Sequence, residues 1–385
     1  MIEDDLLIML CGPTNVSTMV MSSMIKPTIN HRGEEFHKLY LSLEEKLKKI
    51  FMTKNDVVIF TASGTGGVEA TLLNLLKSGD KLILPIYGMF CQRAADTAQK
   101  FGIEVKACKI EFGSVPTLEL VKKELDENPD ARAVFIVYNE TSTGVTVRGL
   151  KDICLEAKRR GVLTIVDAIS ILGGDHLPVD AWGIDACIAG AQKCLAVPPG
   201  VVLVSVSEEA LQTARENRPK TTYFNIPLYI DWLRDRAETP FTPAVPLFYA
   251  LDESLHLILT EGLEERFRRH ERCASAIYAA LEDMGLEVFP EEKCRSNVVI
   301  AVKYPPGVKD GEFRPLLKRG SGVEVSGGMG DMKGKVFRIG CMGEVSPPKV
   351  MRTILAISNT MNRLGFKNDA SSAVEAALSH LSSDT

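Results

Sequence analysis

Short apolar runs alternate with longer amphipathic stretches over the first half of the chain, and this alternation admits few architectures. Residues 57–60, 81–84, 131–138, 162–166, 186–189 and 201–206 read as strands, and Ile103, Val105 and Ala107 alternate as a further one. Between them, residues 34–51 carry Phe36, Leu39, Tyr40, Leu43, Leu47, Ile50 and Phe51 at helical spacing, and residues 87–101, 117–127 and 150–160 also read as helices. Strands and helices in this order predict a mostly parallel sheet within an α/β domain. In such sheets ligands sit beyond the carboxyl ends of the strands.

The polar residues at those ends therefore carry the chemical information: Ser63-Gly64-Thr65, Thr141-Ser142-Thr143, Asp167 and Gln192-Lys193. The glycine-rich turn around Ser63-Gly64-Thr65-Gly66-Gly67 leads from a strand into a helix, where free backbone N–H groups suit a phosphate. A dinucleotide fingerprint needs a small residue where Glu69 stands, and a P-loop needs Gly-Lys-Ser/Thr, which is absent. The turn thus fits a phosphate but neither NAD nor ATP; a turn used only for close packing is the plainer alternative. Lys193 lies between two apolar runs, just before Pro198-Pro199-Gly200. A lysine there is costly to hide without a partner or a task, and an exposed hairpin turn is the other reading.

Composition narrows the class. The 385 residues are 45% hydrophobic and 25% charged, which provides for a large and a smaller domain with ample core. A net charge of -5 with interspersed signs makes no case for nucleic acid. No apolar run approaches the ~18 residues of a membrane span. Residues 1–5 carry acid where a signal peptide needs base, so a cytoplasmic location is expected. The nine cysteines form no C-x-x-C pair and the six histidines show no ligand spacing, so we expect reduced core thiols and no metal site.

A phosphate cradle, a carboxylate and a lysine at neighbouring strand ends are what pyridoxal phosphate (PLP) requires: the lysine forms the Schiff base, and the acid pairs with the pyridinium nitrogen so that the ring stays an electron sink. The ordered motifs resemble the class V, fold-type I aminotransferases, in the branch of alanine–glyoxylate and serine–pyruvate aminotransferases and their archaeal relatives. They are Gly12-Pro13-Thr14-Asn15, His31-Arg32, Ser63-Gly64-Thr65-Gly66, Asn139-Glu140-Thr141-Ser142-Thr143-Gly144, Asp167-Ala168-Ile169, Gln192-Lys193, Pro198-Pro199-Gly200, Thr239-Pro240-Phe241-Thr242-Pro243 and Phe337-Arg338-Ile339-Gly340.

The resemblance implies an α/β fold of PLP fold-type I, with a mostly parallel seven-stranded sheet sandwiched by helices and a smaller α+β C-terminal domain. Its divisions would be an N-terminal segment, 1–20, at the site mouth and dimer interface, a large domain, 21–262, and a small domain, 263–385. It implies Lys193 as Schiff-base lysine and general base, Asp167 at the pyridinium, and Phe90 and Ile169 on the two ring faces. Ser142 or Thr143 would reach the ring hydroxyl. Ser63, Gly64, Thr65 and Gln192 would bind the phosphate, completed by Thr239 and Thr242 of a second subunit in a homodimer. Arg338 would clamp the substrate carboxylate, and Gly12 and Asn15 would line the pocket mouth.

Two positions depart from the family pattern: Cys91, where glycine is usual, and Cys341, where histidine is common near the carboxylate clamp. No second arginine stands in the matched motifs to bind a distal carboxylate, with Arg32 the remaining candidate. The expected activity is amino transfer from alanine or serine to glyoxylate or pyruvate. The alternatives are a class V enzyme using aspartate, aminoethylphosphonate or pyridoxamine, a PLP-dependent lyase or desulfurase (against which Gln192 stands where those have histidine), and a non-catalytic nucleotide-binding scaffold. Elsewhere, residues 6–32 read as irregular. Residues 244–261, 263–284, 347–364 and 370–381 read as helices, and 298–302, 322–325 and 335–339 as strands. The Glu/Arg/His run within 263–284 reads as a solvated face.

Overall fold

The computed structural model describes residues 6–381. The acidic start, residues 1–5, on which the location reading rests, lies outside them. In chain order the strands are β1 (Leu7–Met9), β2 (Asp56–Phe60), β3 (Lys81–Ile86), β4 (Glu104–Lys109), β5 (Ala131–Val137), β6 (Asn139–Glu140), β7 (Val145–Thr146), β8 (Leu163–Asp167), β9 (Ala186–Gly190), β10 (Val202–Val206), β11 (Val299–Lys303), β12 (Val323–Gly327) and β13 (Val336–Gly340).

The main sheet has seven strands in the order β2-β10-β9-β8-β5-β3-β4. All its neighbours run parallel except β10, which is antiparallel to both β2 and β9. Helices cover both faces, so β2, β8, β9 and β10 are buried along their whole length, as continuous apolar runs require. The edge strand β4 differs. Val105 is half-buried and Ala107 exposed, so its apolar alternation does not mark an inner face, and Lys106 and Lys109 suit an open edge.

The helix Glu34–Phe51 matches its apolar spacing: Phe36, Tyr40, Leu43, Leu47, Ile50 and Phe51 are buried. Glu34 and Glu35 open it and Lys48 and Lys49 close it, each opposite in sign to the helix-end dipole. Gly262, at φ +86°, separates Val245–Glu261 from Leu263–Asp283 and begins the C-terminal half. There, a four-stranded sheet in the order β1-β12-β13-β11 packs against Leu263–Asp283, Pro347–Arg363 and Ala370–Leu381.

Three expectations need correction. Residues 6–32 are not wholly irregular. They contain β1, parallel to β12, and the helix Thr18–Ser23, capped by the Ser17 hydroxyl. A strand of three residues whose partner lies at Val323–Val325 leaves no local pattern to read. Residues 7–9 thereby sit in the C-terminal sheet. The charge run is not all solvated either. Arg266 is 3% exposed and His270 is fully buried, because Arg266 faces the Gly173 and Cys194 turns and His270 faces the Gly343 turn. Three helices, Glu208–Asn217, Ile226–Arg236 and Asp310–Ser321, also stand where the sequence reading assigned nothing. The cysteines are all buried and unpaired, and no helix among the described residues is long and apolar enough to cross a membrane.

Candidate active site

A cavity of about 220 Å³ opens at the carboxyl ends of β5, β8 and β9. Ser63, Gly64, Thr65, Phe90, Asp167, Ile169, Gln192 and Lys193 all line it. The fold thus gathers eight of the expected residues from turns spread over more than a hundred positions.

The phosphate end is the start of the helix Gly64–Leu75. Ser63 caps it, accepting from Gly66 N at 3.5 Å. The remaining first-turn N–H groups have no intrahelical acceptor and face an anion site. Glycine is required for clearance. A Cβ on Gly64 would lie 2.9 Å from Ile169 Cδ1, and one on Gly67 2.5 Å from Val202 Cγ2. Gln192 Oε1 is buried without a partner among the described residues. An amide turns over without changing shape, so this terminus can equally present its NH2 to a bound oxyanion.

Asp167 ends β8. Its Oδ1 accepts from Ile169 N at 2.9 Å, which orients the carboxylate toward the cavity floor. Burial pushes its acid up to about 7, and the nearby Glu140 charge adds to the rise. Lys193 follows β9. Its Nζ donates to Cys11 O at 2.5 Å. Burial holds the amine below the ordinary lysine range, and the Arg338 guanidinium adds to this.

Gly12 is not among the residues that line the cavity but lies against one of them. Its φ is +102°, and a Cβ there would lie 2.4 Å from Lys193 Nζ, so it makes room for the lysine. Asn15 is turned inward as well: its Nδ2 donates to Ile8 O at 2.6 Å and its Oδ1 accepts from Ile8 N.

Neither Ser142 nor Thr143 lines the cavity. Ser142 Oγ donates to Glu140 Oε1 at 2.6 Å and accepts from Met89 N at 2.9 Å, and the Thr143 hydroxyl lies against the carbonyls of Tyr87 and Glu140. The residue that faces the cavity is Thr141, whose hydroxyl has no partner among the described residues. The motif was legible, but not where its alternation ends: Val137, Asn139 and Thr141 line the cavity as alternate residues, and Ser142 and Thr143 lie further into the β6–β7 turn. We therefore expect Thr141→Val to weaken PLP binding about tenfold in a spectroscopic titration. Ser142→Ala should instead lower thermal stability with PLP affinity retained.

Glu140, which had no assigned role, is fully buried and accepts from Phe90 N, Cys91 N and Ser142 N, all at 2.9–3.0 Å. It closes the start of the helix Met89–Lys100 with a negative charge and so fixes Phe90. Gly88 is needed beside it, since a Cβ there would lie 2.2 Å from Glu140 Cγ. Arg93, one turn beyond Phe90, also lines the cavity and stands 4.9 Å over the Phe90 ring.

Arg338, on β13, is 6% exposed. Its Nε and Nη2 donate to Gly327 O (2.9 and 2.8 Å) and its Nη1 to Thr141 O (2.7 Å), which leaves one N–H on each Nη for a ligand. Cys341 does not touch this clamp. Its thiol is fully buried and points toward His270 O within the C-terminal core. Arg32 is engaged elsewhere, on Glu238 Oε2, Thr239 O and Pro240 O, with its guanidinium over Trp232. Thr239 is buried and its hydroxyl donates to Phe241 O, so it shapes a turn, whereas Thr242 is exposed.

The site's chemistry fits PLP: an anion cradle at a helix start, a buried carboxylate, a low-pKa lysine and an unpaired hydroxyl around one cavity. The family model for class V aminotransferases matches residues 15–364. An uncharacterised aminotransferase of Methanocaldococcus jannaschii is 40% identical over 362 residues, 94% of each chain. A serine–glyoxylate aminotransferase of Hyphomicrobium methylovorum is 32% identical over 379 residues, covering 96% of this chain and 93% of that one. The crystal structure of ureidoglycine–glyoxylate aminotransferase from Bacillus subtilis superposes with a TM-score of 0.92 at 31% identity over 97% of both chains. The chain belongs to the class V aminotransferases, and it is a PLP-dependent transferase of amino groups.

Proposed function

We propose that the enzyme moves the amino group of a small amino acid, alanine or serine, to glyoxylate or pyruvate. PLP, when bound, supplies the electron sink for breaking the substrate Cα–H bond. The protein supplies the rest. Asp167 would pair with the ring nitrogen, Phe90 and Ile169 would wall the ring, and Thr141 would hold its hydroxyl, since all four line the cavity. Lys193 Nζ, whose proton affinity burial lowers, takes the Cα proton and passes it on. Arg338 holds the carboxylate through its two remaining N–H groups, a planar contact that aligns the Cα–H bond with Lys193.

The observation that carries the small-substrate reading is the engagement of Arg32 on Glu238, Thr239 and Pro240, while the arginine on the cavity wall, Arg93, stands over the Phe90 ring. A donor panel of alanine, serine, aspartate and glutamate against glyoxylate, pyruvate and 2-oxoglutarate tests it. We expect kcat/KM for alanine or serine to exceed that for aspartate at least tenfold. A reversed order would overturn the reading and direct attention to Arg93.

The working unit we propose is a homodimer. Met19, Met21 and Ile25 are 57%, 48% and 86% exposed, an apolar surface within one short segment that a second copy would cover, and Thr242 is exposed to reach a neighbouring phosphate site. The buried, unpaired thiols suit a reducing compartment, and we place the enzyme in the cytoplasm.

A further inference from the structure

The helix Leu263–Asp283 opens the C-terminal half, yet two of its polar side chains are withdrawn from water. Arg266 directs its guanidinium at main-chain carbonyls from three separate turns. Nε donates to Gly173 O at 2.9 Å, and Nη2 donates to Cys194 O at 2.6 Å and more weakly to Gly343 O at 3.4 Å. Nη1 pairs with Glu261 Oε2 at 2.7 Å. Each of these turns follows a functional element: Gly173 the Asp167 strand, Cys194 the lysine, and Gly343 the Arg338 strand.

The Gly343 turn is held a second time. Its N–H donates to His270 Nε2 at 3.0 Å, while His270 Nδ1 bonds Arg266 O at 2.8 Å. An imidazole that accepts at Nε2 and donates at Nδ1 is neutral, and burial favours that form. Glu261 also pairs with Arg269, which reaches Gly343 O and Val345 O but neither Gly173 nor Cys194.

We propose that Arg266 is a positioning residue for amino transfer, fixing the Lys193 turn relative to the Asp167 and Arg338 strands. The proposal rests on the PLP aminotransferase assignment. Burying a guanidinium is expensive, and an apolar side chain of similar volume could fill the space. What only the planar fork can do is hold carbonyls from separate turns at fixed angles. Without it, the Cys194 carbonyl is left buried without this donor, and the Lys193 turn relaxes. A displacement of about 1 Å at a reacting group costs on the order of 10²-fold in rate.

The test uses the PLP-loaded enzyme, with the donor half-reaction rate, the pH midpoint of the visible absorbance of lysine-bound PLP, the PLP dissociation constant and the thermal midpoint as readouts. Arg266→Lys keeps the charge and loses the fork. It should slow the half-reaction about 10²-fold and move the absorbance midpoint, with PLP affinity retained. Arg269→Lys should lower the thermal midpoint and leave the absorbance midpoint in place. Glu261→Gln loosens only one edge of Arg266 and should move the absorbance midpoint in the same direction by less, which covers the case of an Arg266 variant that does not fold. An unmoved absorbance midpoint in both Arg266→Lys and Glu261→Gln overturns the proposal, as does an equal shift in Arg269→Lys. Wild-type protein that shows no PLP absorbance would fail the family assignment instead, so the two failures are distinguishable.

Discussion

Lys193→Ala should abolish transamination, with turnover falling by at least about 10⁴-fold, because one amine serves as both covalent anchor and proton carrier. Borohydride treatment of the wild-type holoenzyme should fix the cofactor on the peptide that carries Lys193, and the variant should yield no labelled peptide. The fold should survive the change. Lys193 Nζ donates to Cys11 O, but a buried amine held below its ordinary protonation range is a strained component of the cofactor-free protein. Replacing it with alanine removes a desolvated amine and opens space beside Cys11 O that water can enter. Residual turnover above the solution rate would refute the role given to Lys193.

Asp167→Asn should lower kcat/KM by about 10²–10³-fold or more, since it removes the charge aimed at the ring nitrogen. The same change should stabilise the cofactor-free protein above neutral pH. Folding raises the Asp167 acid from 3.8 to about 7, chiefly by burial. Between those values the folded state binds the proton that the unfolded chain has released. The stability contributed by this group is therefore complete below pH 3.8 and is lost as pH rises through about 7. The shift corresponds to about 4 kcal/mol as an upper order of magnitude. Thermal melts of cofactor-free wild type and Asp167→Asn across pH 4–8 measure it. The difference between the two should grow in favour of Asn up to about pH 7 and then level off. Curves that stay parallel would remove the buried, proton-holding state. Loading PLP should reverse the order, because the wild-type carboxylate then has a cationic partner.

These opposite effects follow from a site assembled at strand ends, and its strands were readable for a simple physical reason. In β2, β8, β9 and β10 both faces are buried, so every residue is apolar or small and the run stands out against its flanks. The parallel order then places Ser63, Asp167 and Lys193 along one edge from the sequence alone. Where the alternation ends at a tight turn was not readable. The motif at residues 139–144 gave Ser142 and Thr143, and the hairpin presents Thr141. Nor could the sequence show the pairing of side chains with distant main chain. Arg266 and His270 lie in a run of charges that looks solvated, and only the approach of Gly173, Cys194 and Gly343 makes their burial sensible. Gly12 falls between these cases. A glycine before a proline reads as a turn, whereas its function here is steric and set by Lys193, far along the chain.

The strand β1 has a consequence for how the enzyme comes into being. Leu7 pairs with Val323 and Met9 with Val325, so β1 waits for a partner strand far later in the chain. A contact of such sequence separation is slow to close, and until then β1 offers an unpaired edge. Cys11, whose carbonyl accepts from the Lys193 amine, and Gly12, which gives that side chain room, lie two and three residues beyond β1. On the ribosome the large α/β body can collapse with its lysine unplaced, a state open to aggregation and to chaperone capture. Pairing β1 with β12 also brings Cys11 and Gly12 to the reactive amine.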